Sequence, residues 1–115
     1  MKKLSGEMKS CIDACQSCYA TCVQMAMQHC LLLGGRHTEP KHFQLMMACA
    51  EICRTSAALM LIGSPSHLMQ CDLCAKICEE CATDCERVGD MEECARACRA
   101  CAKECRQMAS RAMAA

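Results

Sequence analysis

Cysteine returns along this chain with the period of an α-helix, and that recurrence leaves few folds open. Cys11, Cys15, Cys18 and Cys22 are separated by 4, 3 and 4 residues, and Cys94, Cys98, Cys101 and Cys105 repeat the same steps. Cys71, Cys74, Cys78, Cys81 and Cys85 follow steps of 3, 4, 3 and 4. Such steps hold side chains on one face of a helix, whereas a strand needs steps of two. Cys49 and Cys53 form a sparser fourth stripe, and Cys30 stands outside the register.

Helix breakers fall between the stripes. Gly34-Gly35 ends the first segment; Thr38 or Glu39 can cap the second, with Pro40 in its first turn and Gly63 at its close. Ser64-Pro65 suits the start of the third, which fades at Gly89, and Asp90 is expected to cap the fourth, with Glu93 three positions on. The expected helices cover about 5–33, 39–62, 64–88 and 90–113. Short links between helices of similar length predict an all-α, antiparallel up-down-up-down four-helix bundle with a cysteine-lined core, and residues 1–115 read as a single domain.

Three uses of such stripes have to be separated. As plain core filling they would pack poorly, because the Leu, Ile and Phe that normally fill a bundle are scarce: the chain has 16 Cys and 11 Met against one Phe, one Tyr and no Trp. Disulfides within a helix are opposed by geometry, since neighbours three or four apart have Cβ atoms about 5–6 Å apart and a disulfide needs roughly 3.5–4.5 Å. Geometry leaves bridges between helices open, but the reducing compartment expected of this chain opposes them, and metal is the use that follows. Zinc sites and iron–sulfur clusters usually draw cysteines from loops that wrap one compact site, whereas a continuous row inside long helices suits an ion that shares its thiolates with a neighbour. Monovalent copper is soft and selects thiolate and thioether. Charge points the same way: four four-thiolate zinc sites built from 16 cysteines would bury eight negative charges, while one Cu(I) per thiolate is neutral.

Methionine and histidine extend the stripes. Met25 and His29 lie beyond Cys22, and His42 and Met46 precede Cys49. In an antiparallel bundle these four meet at one mouth, joined by Met91, while Met8, Met60, His67 and Met108 gather more loosely at the other. The second helix is apolar nearly all round, through Phe43, Leu45, Met47, Ile52, Ala57, Ala58, Leu59, Leu61 and Ile62, and is expected to pack against another subunit.

The remaining features narrow the class. Thirteen basic and thirteen acidic residues cancel without a like-charged run, which suggests neither a nucleic-acid partner nor an anionic membrane. Polar Ser5, Gly6, Glu7 and Lys9 occupy the place of a signal-peptide core, and the apolar run at Leu31–Leu33 is too short to span a bilayer. A cytoplasmic protein with reduced thiols is expected. No nucleophile–base arrangement or phosphate-cradling glycine motif is present, so binding without turnover is the expected role. A zinc or general soft-metal buffer of metallothionein type, and a thiol-redox or iron–sulfur electron carrier, are the alternatives.

The segment His42-Phe43-Gln44-Leu45-Met46-Met47-Ala48-Cys49-Ala50-Glu51-Ile52-Cys53 and the patterns Cys71–Cys85 and Cys94–Cys105 resemble the bacterial copper storage proteins over nearly the whole chain. The resemblance implies a homotetramer of four-helix bundles of the cytosolic type. It implies that multiple Cu(I) ions are held by the inward cysteines, with Met25, His29, His42 and Met46 at the mouth admitting them, and a possible copper donor or acceptor protein as partner. Cys30 departs from the family register and its role is not settled by the resemblance, yet it is counted with the other 15 cysteines among the candidate metal ligands.

Overall fold

The computed structural model describes residues 4–114, with side chains described through residue 110. Among the described residues there is no strand. Helix α1 comprises Gly6–Met25, a wider π turn at Ala26–Cys30 and a last turn at Leu31–Leu33. A short 3₁₀ turn, Gly35–Thr38, leads to α2 (Pro40–Ile62), α3 (His67–Val88) and α4 (Glu92–Ala114). Each helix packs chiefly on its chain neighbours and α4 closes back on α1, so α1 faces α3, and α2 faces α4, across the bundle axis. The result measures 46 × 26 × 19 Å.

Local chemistry accounts for the helix ends. Ser5 Oγ accepts the Met8 N–H at 3.1 Å, capping α1. Glu39 occupies the N-cap position of α2 and Pro40 its first turn, where the missing N–H costs nothing. Gly63 ends α2 in the left-handed conformation, at φ 81°. The Ser64 N–H then reaches Leu59 O at 3.0 Å and the Gly63 N–H reaches Met60 O at 3.1 Å, the pairing of a Schellman motif.

Two starts lie later than the breakers suggest. Ser64, Pro65 and Ser66 form a turn, and α3 begins at His67. Asp90 adopts φ 55°, which a cap residue does not, so its expected capping role fails. The first helical carbonyl of α4 is that of Met91, which accepts from Ala95 at 2.9 Å.

The core is built from sulfur and alanine. All 16 cysteines are buried, each at most 1% exposed. Ala26, Ala50, Ala57, Ala75, Ala82, Ala95 and Ala102 are buried beside them. By length and hydropathy α2 could cross a bilayer, with mean hydropathy 1.6, yet its inner face carries His42, Met46, Cys49 and Cys53 to the bundle axis. Its outer face is mixed rather than apolar nearly all round as expected: Lys41, Gln44, Glu51 and Arg54 are exposed along it, and the exposed large apolar residues, Leu61 and Ile62, are confined to its C-terminal end.

Candidate metal site

The helical steps read from the sequence bring the thiols together across the axis. Cys22 lies 3.5 Å from Cys94 and 3.8 Å from Cys98; Cys18 lies 3.7 Å from Cys98; Cys49 lies 3.7 Å from Cys78. Cys53 stands 3.5 Å from Cys78 and 3.8 Å from both Cys74 and Cys101, and Cys15 lies 3.5 Å from Cys105 and 3.6 Å from Cys101. Cys11 joins through Cys105 at 3.8 Å, and Cys71 is buried in the same core. Every cysteine is free.

These contacts organise into four-thiol groups that share edges. Cys15, Cys74, Cys101 and Cys105 form one, and Cys74 and Cys101 also belong to the next, with Cys53 and Cys78. That pair recurs in the group with Cys18 and Cys49, which in turn belong to the group with Cys22 and Cys98. Cys22 and Cys98 then complete a group with Cys81 and Cys94. Isolated tetrahedral ions could use only alternate groups, because adjacent ones compete for two thiols. An ion that shares thiolates can use them all.

The protons of the row are shared. Hydrogen bonding with Cys18 pushes Cys22 and Cys98 above the ordinary thiol value, hydrogen bonding with Cys101 does the same for Cys53 and Cys78, and burial adds to each. The same kind of contact lowers other members: hydrogen bonding with Cys101 draws Cys18 and Cys74 below it. The surrounding medium offers no countercharge, so full ionisation of the row requires cations to replace its protons.

The row ends differently at its two poles. Met46 Sδ closes one side, 3.8 Å from Cys81, 3.5 Å from Cys85 and 3.6 Å from Cys94. Beyond it Cys30, His37, His42 and Met91 are all buried. Cys30 is there because of the π turn. At about 100° per residue, the eight-residue step from Cys22 would overshoot the stripe by about 80° in a regular helix. The Leu31 N–H instead reaches back five residues to Ala26 O, and the extra residue in that turn returns Cys30 to the axis. Ala26 and Cys30 therefore continue the stripe where Met25 and His29 were expected. Met25 is half-buried against the core, and the half-buried His29 donates from Nε2 to Asp90 O at 2.7 Å. At the far pole Met60 and Met108 are buried plugs, and His67 bonds back to Ser64 O at 2.7 Å.

Two residues beside the mouth carry no helical signal in the sequence. His37 comes from the 3₁₀ turn, where no register can place it. Its ring is held below the ordinary imidazole value by burial and by His29 and His42 beside it. Asp84, half-buried on α3, accepts from His42 Nδ1 at 2.7 Å and from Arg87 Nε at 2.9 Å. Burial alone would raise its carboxyl, but these two donors outweigh burial and hold it low.

Comparison with known proteins agrees with this geometry. The copper storage protein family pattern matches residues 4–110. The structure superposes on the Nmul_A1745 protein of Nitrosospira multiformis with a TM-score of 0.89 and 53% identity, covering 90% of this chain and 95% of that one. The Cu(I)-bound copper storage protein BsCsp3 gives a TM-score of 0.82 and 35% identity, covering 90% and 98%. Apo copper storage protein 3 of Bacillus subtilis gives 0.73 and 38%, covering 88% and 97%. The cysteine-rich protein YhjQ of Bacillus subtilis, itself uncharacterized, is 36% identical over 75 residues, 65% of this chain and 62% of that protein's length. A row of buried thiols inside a four-helix bundle, matched by sequence over almost its whole length, makes this chain a member of the copper storage protein family.

Proposed function

We propose that the protein binds and stores multiple Cu(I) ions through its inward cysteines, buffering copper and limiting its toxicity. One observation carries the reading: the four-thiol groups share edges in an unbroken series from Cys15 and Cys105 to Cys81 and Cys94. A continuous ribbon of bridging thiolates suits a soft monovalent ion, and one ion per thiolate leaves the buried core neutral. The zinc alternative has a specific basis, since zinc–thiolate bonds of about 2.3 Å imply sulfur edges of about 3.8 Å, close to the distances in the row. Zinc would nonetheless leave each separate group doubly negative inside a low-dielectric core.

The 16 cysteines are the proposed ligands, and His42 and Met46 line the way in, with Met25 and His29 at the rim. Storage needs no turnover, so the protein acts as a binder and not an enzyme. A cytosolic setting keeps the thiols reduced. The exposed apolar residues of α2 and of Leu31–Leu33 support a homo-oligomer, a tetramer by family likeness, with a copper donor or acceptor docking transiently.

Anaerobic titration of the reduced protein with Cu(I) against a competing chelator tests the reading. Binding well above four ions per chain and near one per cysteine is expected, with about one proton released per ion as thiols become thiolates. Saturation at four ions or fewer, with zinc winning a direct competition, would replace it with the zinc reading.

A further inference from the structure

Cys30 keeps different company from the rest of the sulfur. Its Sγ lies 3.8 Å from His37 Nδ1, 3.8 Å from His42 Nε2 and 3.7 Å from Met91 Sδ, and none of these three neighbours is a thiol. All four side chains are at least nine-tenths buried. We propose that Cys30, His37, His42 and Met91 form a single-ion copper site separate from the thiolate row, with Asp84 as its positioning residue. The proposal rests on the copper reading above.

The donor set sets this site apart. It contains one thiolate, two imidazoles and one thioether, a mixture of soft and intermediate donors that copper accepts. Binding Cu(I) to one ionised thiol leaves the pocket neutral, so burial does not oppose occupancy. The row depends on thiolates bridging between ions, but here the partners of the only thiolate are terminal donors, so one ion is the natural load. Met46, which touches Cys81, Cys85 and Cys94, is the sulfur that begins the row on this side.

The surroundings select which nitrogens face the ion. Asp84 takes the hydrogen on His42 Nδ1 at 2.7 Å, which leaves the Nε2 lone pair turned toward Cys30. A carboxylate behind a ligating histidine is the usual way to fix the ring and raise its basicity. Asp84 is itself held by Arg87, which also reaches Glu39 at 3.3 Å and so ties α3 to the start of α2. His29 is excluded from the set, because its Nε2 is engaged by Asp90 O. It packs edge-on against His37 with ring centroids 5.3 Å apart, which fixes the His37 ring from outside.

The test is nitrogen NMR of protein labelled with ¹⁵N-histidine, before and after anaerobic loading with Cu(I), with copper content measured on the same sample. His37 Nδ1 and His42 Nε2 are expected to move from free-imidazole to metal-bound shifts, while His29 and His67 stay where they were. In Asp84→Asn the hydrogen of His42 should no longer be confined to Nδ1. Chelator should then strip the ion bound to His42 at a concentration about 10- to 100-fold lower, with total row capacity unchanged and Asp84→Glu restoring part of the loss. A loaded row with unmoved His37 and His42 signals would overturn the site alone, and an unchanged chelator midpoint in Asp84→Asn would overturn the role given to Asp84. Failure to load copper at all would overturn both the store and this site.

Discussion

Cys53 belongs to two adjacent sulfur groups, one with Cys74, Cys78 and Cys101 and one with Cys18, Cys49 and Cys78. Bridging makes such a residue worth more to capacity than its single thiol. Cys53→Ala should lower Cu(I) capacity by about one to two ions per chain, counting one for the lost thiolate and one for a lost bridge. Removing one buried sulfur should also cost the apo protein about 1 kcal/mol through the small cavity left behind. Arg54→Ala, next in sequence but exposed and paired with Glu51, serves as the control and should leave capacity unchanged. Equal capacity in Cys53→Ala and the parent would mean that Cys53 serves neither as a ligand nor as a bridge. The same residue-by-residue logic explains what was legible beforehand. The cysteines of the four stripes could be placed on the axis because helical spacing alone determines which face a side chain occupies. Asp84 could not, since its value comes from a histidine 42 positions away in sequence.

Among the elements, the π turn of α1 is the one that changes the site. Its extra residue makes an eight-residue step from Cys22 to Cys30 act as a seven-residue one, while Gln28 inside the turn remains exposed. Deleting Gln28 should therefore convert the turn to regular helix and still leave Cys30 on the axis, seven residues from Cys22. The expected outcome is an unchanged or higher melting temperature, with Cys30 as protected from alkylation in the folded apo protein as Cys22. Rapid labelling of Cys30 in the deletion variant would contradict this account of the bulge. A regular 3.6-residue period cannot anticipate such a turn, which is why the sequence left Cys30 off the stripe and put Met25 and His29 on it. The start of α4 escaped for a related reason: Asp90 has the right chemistry for a cap, but the Gly89–Asp90 link turns through positive φ at both residues and hands the position to Met91.

At the scale of the whole molecule, the bundle joins a stable helical shell to a core that copper completes. Buried Ala, Met60, Met91 and Met108, the caps of α1 and α2, and ion pairs between α3 and α4 such as Arg99–Glu86 at 2.6 Å all belong to the chain itself. The apo protein should therefore give a strongly helical circular dichroism spectrum, unlike a zinc finger, which needs its ion to fold. Loading should raise the melting temperature, because an ion bound only by the folded state stabilises it by mass action. A coil spectrum that becomes helical only with copper would be the contrary result. Sequence alone determined the helix count, the antiparallel bundle and the thiol-lined axis, because breakers and period-3.6 patterning are local and act before any tertiary contact forms. Only the tertiary structure decided that the thiols meet as edge-sharing groups, that Cys30 turns inward, and that His37 and Asp84 gather at the mouth, because each of these depends on distances between segments that the order of residues does not specify.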